Sequence, residues 1–145
     1  MSRSGYIEDY DYQESALILY RGAVNSAIKG RRGQAFIREA ISAIDAMPEK
    51  CLITGSFSGE FVGEFCTLGV VGHARGMDLQ PLDESDPEEV GQAFGISTAL
   101  AAEIMFENDD QGSYRANESA TPEKRWRRMR RWLESKLIAQ QKETK

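Results

Sequence analysis

Nine bases crowd residues 121 to 145 of this 145-residue chain, most of them around two tryptophans in the run Lys124-Arg125-Trp126-Arg127-Arg128-Met129-Arg130-Arg131-Trp132. Cations interleaved with indoles suit single-stranded or folded nucleic acid, or an acidic protein surface. The plainer reading is an amphipathic helix whose Trp126 is core and whose arginines neutralise an acidic segment of the same chain. It is the favoured one, because pairing within one molecule needs no partner.

A second basic element, Ile28-Lys29-Gly30-Arg31-Arg32-Gly33, is similar to the Gly-x-x-Gly loop of KH nucleic-acid-binding domains, where glycines let the backbone approach phosphates. That fold wants a strand before its first helix, and here a long helical pattern precedes the glycines. A loop between helices, with Gly30 as a C-cap, accounts better for the segment. The candidate binding residues are therefore Arg31, Arg32, Lys124, Arg127, Arg128 and Arg131.

Three further constellations are weaker. Cys66, at a predicted strand-to-helix junction, could be a dipole-activated nucleophile with His73 as base and Asp78 or Asn108 as orienter. Seven residues along a helix separate Cα atoms by ~10 Å, so nucleophile and base would not meet, and a buried structural cysteine is expected instead. Glu88 to Ile104 has the cadence of a helix-turn-helix, with Gly95-Ile96-Ser97 as the turn. Its would-be recognition residues, Thr98 to Glu103, include no Arg, Lys, Asn or Gln, so a packed helical hairpin is expected. Glu107, Asp109 and Asp110 read as a helix-end loop rather than a metal box. With one histidine, His73, and two cysteines, Cys51 and Cys66, no zinc set is assembled, and no catalytic residue, cofactor or metal is assigned.

Charge is segregated along the chain. Residues 76 to 120 hold eleven acids and only Arg115, whereas residues 121 to 145 reach +6, within an overall net charge of -5. The two could face each other in the fold, or the basic end could be an interaction arm. The length suits one domain, 1–145, with a core large enough to need no disulfide. No apolar stretch is long enough to span a bilayer, and the acidic start is unlike a secretory leader, so a cytoplasmic protein with reduced thiols and no membrane role is expected.

The elements that would position these residues follow from periodicity and caps. Residues 1 to 12 read as a polar lead-in. Leu17, Tyr20, Val24 and Ile28 predict a helix over 13–28, and Phe36 or Ile37, Ala40, Ile41, Ile44 and Met47 predict one over 34–46, the two forming an antiparallel hairpin ended by Pro48. Two short apolar runs, 51–54 and 61–66, around a Gly/Ser turn predict a β-hairpin. Thr67 to Arg75 is predicted as a short helix whose glycines admit a close neighbour. Asp86-Pro87-Glu88-Glu89 and Thr121-Pro122-Glu123 start further helices by cap, proline and acid, the last running over 121–139 with Trp126, Met129, Leu133 and Leu137 on one stripe and Lys124, Arg127, Arg128 and Arg131 opposite. The fold class is thus mainly α, a compact bundle of about five helices with a small β-hairpin, a minor α+β element.

From Tyr20-Arg21-Gly22-Ala23-Val24 through Arg31-Arg32-Gly33-Gln34 and Asp45-Ala46-Met47-Pro48 to Thr121-Pro122-Glu123-Lys124-Arg125-Trp126, the chain resembles an uncharacterised group of small proteins of tailed bacteriophages and prophages. That resemblance carries no site residues. It implies an accessory protein of the bacterial host cytoplasm, acting on a host factor, phage DNA metabolism or a defence system. The expected function is non-enzymatic: binding a host or phage protein, as an interaction or inhibitor module, with nucleic-acid binding as the alternative. Oligomeric state stays open, although an exposed Trp132 could seed a dimer.

Overall fold

The computed structural model describes residues 14–109 and 121–139, with side chains from Tyr20 onward. The predicted lead-in and most of the 108–120 loop lie outside those residues. Six helices fold the described chain: α1 Glu14–Lys29, α2 Arg31–Asp45, α3 Thr67–Arg75, α4 Pro87–Phe94, α5 Thr98–Asp109 and α6 Pro122–Ser135. The class is mainly helical, as the periodicities predict.

Local chemistry explains most of the boundaries. The Asp86 carboxylate accepts from the Glu88 and Glu89 amides, Pro87 opens α4, and Gly95 closes it at φ 79°, a left-handed conformation suited to glycine. Thr121 accepts from the Lys124 amide at the start of α6, and Ser97 Oγ accepts from the Leu100 amide at the start of α5. Gly76, at φ 76°, ends α3 in the same left-handed way.

The first turn of the fold departs from expectation. The predicted Gly30–Gly33 loop is helix, because only Gly30 separates α1 from α2 and its φ of -72° makes it the extended N-cap of α2 rather than a C-cap. Gly33 is what allows so tight a junction: a Cβ there would overlap the Ala27 carbonyl. Gly69 plays the same role on α3, whose backbone lies directly against the Phe57 carbonyl. Close approach at the α3 glycines is as the sequence predicts.

The β-hairpin does not form; the described residues contain one isolated bridge, Ser58 with Phe65. The reason is competition for the backbone of the first run. The Leu52 amide donates to Pro122 O, Leu52 O accepts from Arg125 Nη1, and Ile53 O accepts from Asn108 Nδ2. Ile53 N–H reaches across, to Phe65 O at 3.0 Å. Helices α5 and α6 have taken the bonds that a ladder would need.

α5 is the central element. It packs against α1, α3, α4 and α6, and its buried residues run from Leu100 to Met105 and continue at Glu107 and Asn108, so it is covered on nearly every side. α2 and α6 lie antiparallel, since Trp126 Nε1 donates to Ile44 O at one end while Gln34 Nε2 donates to Lys136 O at the other.

Candidate functional site

The burial of α5 removes the helix-turn-helix reading. Thr98 to Glu103 would have to reach base edges, yet Leu100 to Glu103 are buried, and Glu103 takes a two-pronged contact from Arg21 at 2.7 and 3.2 Å. The α4–α5 corner is a packed hairpin with Gly91 fitted under the Ile96 carbonyl.

The thiol constellation is not assembled either. Cys66 is the N-cap of α3, its Sγ accepting from the Gly69 amide at 3.4 Å, and it is wholly buried. His73 lies at the surface, its ring 4.8 Å from that of Phe65. Asn108 is engaged elsewhere: its Oδ1 accepts from the Thr67 amide and hydroxyl, and its Nδ2 donates to Ile53 O and Asp109 Oδ1. Among the described residues no group of acids, cysteines and histidine is placed to hold a metal.

The basic helix is the richest surface, and its arginines divide sharply by role. Arg125 is inside, 9% exposed, donating to Leu52 O at 2.9 Å. Burial lowers the affinity of its guanidinium for its proton and the neighbouring Arg128 adds repulsion, with Asp109 opposing. Arg128, predicted on the outward ridge, instead turns to the C-terminal end of α5, where its Nη2 donates to Glu107 O at 2.8 Å and to Asn108 O. Burial weakens its proton affinity too, against support from Glu107. A cation on the exposed carbonyls of a helix end complements the dipole, which is why this arginine is held there. Arg130 grips Asp45 of α2 at 2.8 and 3.1 Å and also reaches Glu134.

Lys124, Arg127 and Arg131 remain exposed, and none forms an ion pair among the described residues. At 100° per residue they fall within about 60° of one another along ~10 Å of helix. Arg31 and Arg32 are exposed as well, but in the first turn of α2. The antiparallel packing puts that turn beside Lys136, at the end of the pair away from Lys124. Along the helices this leaves Lys124 roughly 20 Å from the Arg31–Arg32 turn and Arg131 about 10 Å from it.

Of the acidic middle, Glu107 and Asp109 at the end of α5 support the charges of Arg128 and Arg125, whereas its earlier acids lie elsewhere among the described residues. Asp78, Asp83, Glu84 and Asp86 precede α4, which docks on α5, whereas α6 docks on α2 and α5. Trp126 is half-buried rather than core, with Lys50 Nζ 5.8 Å above its ring, and the fully buried positions of α6 are Met129 and Leu133. Trp132 packs partly against the core with Lys136 over its ring. Beside Trp126 lies an open groove of about 500 Å³ walled by Glu49, Lys50, Cys51, Glu123 and Arg127. The Cys51 thiol donates to Glu123 Oε2 at 3.7 Å, and burial together with that carboxylate raises its pKa, which keeps it protonated.

Two features were not singled out from sequence. Gln34, which is buried, donates to Ile28 O and Lys136 O and accepts from the Ile138 amide, fastening the end of α6 to the α1–α2 junction. Phe61 and Val62, placed in a predicted strand, stand exposed at a turn tip, 69% and 104% respectively. The flanking Gly59 and Gly63 are the sequence signal for that turn. Compared with protein-family models, curated proteins and solved structures, the chain matches none.

Proposed function

We propose that this protein works by binding another protein, presenting the Lys124–Arg127–Arg131 stripe of α6 to an acidic surface. One observation carries the reading: Arg125, Arg128 and Arg130 all have partners inside the fold, while the three stripe cations have no ion pair among the described residues. Exposed cations with no ion pair among the described residues, in a chain of net charge -5, favour steering toward an opposite field. The resemblance to tailed-phage proteins makes a host or phage protein the partner class to test.

Nucleic acid is the weaker reading because its stacking platform is absent from the stripe. Trp126 gives its N–H to Ile44 O, and lysines sit over both indoles. The test compares capture from bacterial lysate by the native protein and by Lys124→Glu/Arg127→Glu/Arg131→Glu. A specific acidic protein should be held at ~50 mM salt, weakened at ~500 mM and absent with the variant. Equal capture by both proteins refutes the reading, as does salt-sensitive binding of labelled DNA or RNA that the variant loses.

A further inference from the structure

We infer that copies of this chain join head to tail, the acidic face around the start of α4 on one copy seating against the Lys124–Arg127–Arg131 stripe of α6 on the next. Residues 77 to 94 carry six acids, Asp78, Asp83, Glu84, Asp86, Glu88 and Glu89, and no base. None of the six forms an ion pair among the described residues, and neither do the three stripe cations. On α6 the acids are Glu123 and Glu134, and Arg130 is set against Glu134 and against Asp45 of α2. That leaves Lys124, Arg127 and Arg131 opposed on their own helix by Glu123 alone. The two faces are thus opposite in sign.

The acidic face is built rather than merely rich in carboxylates. The Asp86 carboxylate accepts from the Glu88 and Glu89 amides, and Glu89 Oε2 accepts from the Asp83 amide at 3.4 Å. Asp83 Oδ1 in turn accepts from the Ser85 amide and hydroxyl at 3.0 and 2.9 Å. Those bonds from Ser85 hold the Asp83 carboxyl below its ordinary pKa, so it keeps its charge. Backbone amides therefore crowd several like charges around one helical turn. The positive end of the α4 dipole relieves part of their repulsion. No ion pair among the described residues relieves the rest.

The fold keeps the two faces apart. α4 packs on α5, while α6 turns Arg125, Met129 and Leu133 toward α2 and α5, which puts the stripe on the far side of α6. One copy's acids do not pair with its own stripe among the described residues, so a second copy is the occupant that answers both faces at once. An unrelated acidic protein would cover the stripe and leave the six acids crowded as before. Contact between two unlike faces is heterologous, so each pair keeps one face free at either end and association continues unless a ring closes. This rests on the preceding reading of the stripe as a recognition face and names one protein that it meets.

Sedimentation equilibrium of the full chain tests it. At ~50 mM salt the average mass should climb above the 16.2 kDa of one chain between ~1 and ~300 µM, and at ~500 mM salt it should fall back to that value. Lys124→Glu/Arg127→Glu/Arg131→Glu and, separately, Asp78→Lys/Glu84→Lys/Glu88→Lys should each weaken self-association at least about tenfold. The second set spares Asp83, Asp86 and Glu89, whose carboxylates brace the turn, and circular dichroism should show native helix in both variants. The neutral set Asp78→Asn/Glu84→Gln/Glu88→Gln, gentler on the fold, should weaken association in the same direction. An equimolar mixture of the two reversed variants should associate again, because the intact stripe of one meets the intact acidic face of the other. A native chain that stays at one-chain mass through ~300 µM overturns the inference, as does association indifferent to salt or a mixture that recovers nothing. Capture from lysate separates the two readings: if the acidic-face variant still holds an acidic protein through the stripe while the native chain stays single, only head-to-tail joining fails.

Discussion

Replacing Asn108 with alanine tests how much of the attachment of the non-helical segment 51–66 to the helical body runs through this amide, beside the bonds of Leu52 to Pro122 and Arg125. Asn108 is 1% exposed and makes four side-chain hydrogen bonds, two accepted from Thr67 and two donated to Ile53 O and Asp109 Oδ1. The Asp109 carboxylate keeps its bond from the Gly55 amide, so the cost falls on the Thr67 amide, the Thr67 hydroxyl and the Ile53 carbonyl. The Thr67 amide is in the first turn of α3 and has no intrahelical acceptor to fall back on. At about 1–3 kcal/mol for each buried group left unsatisfied, with the hydroxyl free to reorient, Asn108→Ala should cost roughly 3–5 kcal/mol. Urea unfolding followed by helical circular dichroism should show it as a midpoint lowered by about 1–3 M at unchanged slope. Hydrogen exchange should accelerate first at Ile53 and Cys66, the amides that hold the segment closed.

Asn108→Asp sharpens the same test. It keeps the acceptor toward Thr67 but sets carboxylate oxygen against Ile53 O and Asp109, so its pKa in the folded state should lie above the unfolded value of about 3.9. A raised carboxyl pKa destabilises at pH above that folded value. The deficit relative to the native protein should therefore shrink as pH falls through it, when a protonated acid can again donate to Ile53 O. A cost below ~0.5 kcal/mol for Asn108→Ala, within the range of an ordinary surface change, would refute this account of the 51–66 segment.

Other perturbations probe the remaining joints. Gly22→Ala, in the exposed interior of α1 with open space around a new Cβ, should stabilise by about 0.5–1 kcal/mol, whereas Gly33→Ala should destabilise by about 1–3 kcal/mol or more by driving a methyl into the Ala27 carbonyl; thermal melts of both should move in opposite directions. Leu133→Ala should cost about 2–5 kcal/mol and more than Trp126→Ala, because Leu133 is fully buried and Trp126 only half so; a reversed order of denaturant midpoints would put the core stripe of α6 in the wrong place. The Arg75 guanidinium, bonded to Glu39 at 2.7 and 2.8 Å, holds that carboxyl below its ordinary pKa. A depressed carboxyl stabilises above the unfolded value of about 4.3 and loses that contribution as pH falls through the folded value. Glu39→Gln should thus lower stability at neutral pH by less than ~1 kcal/mol, the pair being solvent-screened, and match the native protein in acid.

Helix identity was legible in the residues themselves wherever the decisive interaction is local. Asp86-Pro87 and Thr121-Pro122 start α4 and α6, and Gly95 stops α4, because a cap bonds amides two or three residues away and a left-handed turn needs only its own glycine. The helical spacing of Phe36, Ile37, Ala40 and Ile44 likewise located the buried face of α2. Tertiary structure decided which polar side chains enter the interior. Arg21 meets Glu103 across 82 residues, Gln34 meets Ile138 across 104, and Arg125 reaches Leu52 across 73, so no local pattern announces them. It also dissolved the expected hairpin, whose runs have strand-like composition but whose amides and carbonyls were claimed by α5 and α6. On α6 the helical phase placed Trp126 on the apolar stripe and Arg128 on the outward ridge, yet docking against α2 and α5 leaves Trp126 half-buried, turns Arg125 and Arg128 inward and leaves Lys124, Arg127 and Arg131 outside. A periodic sequence fixes angles around an axis, while the environment met at each angle depends on the neighbouring helices.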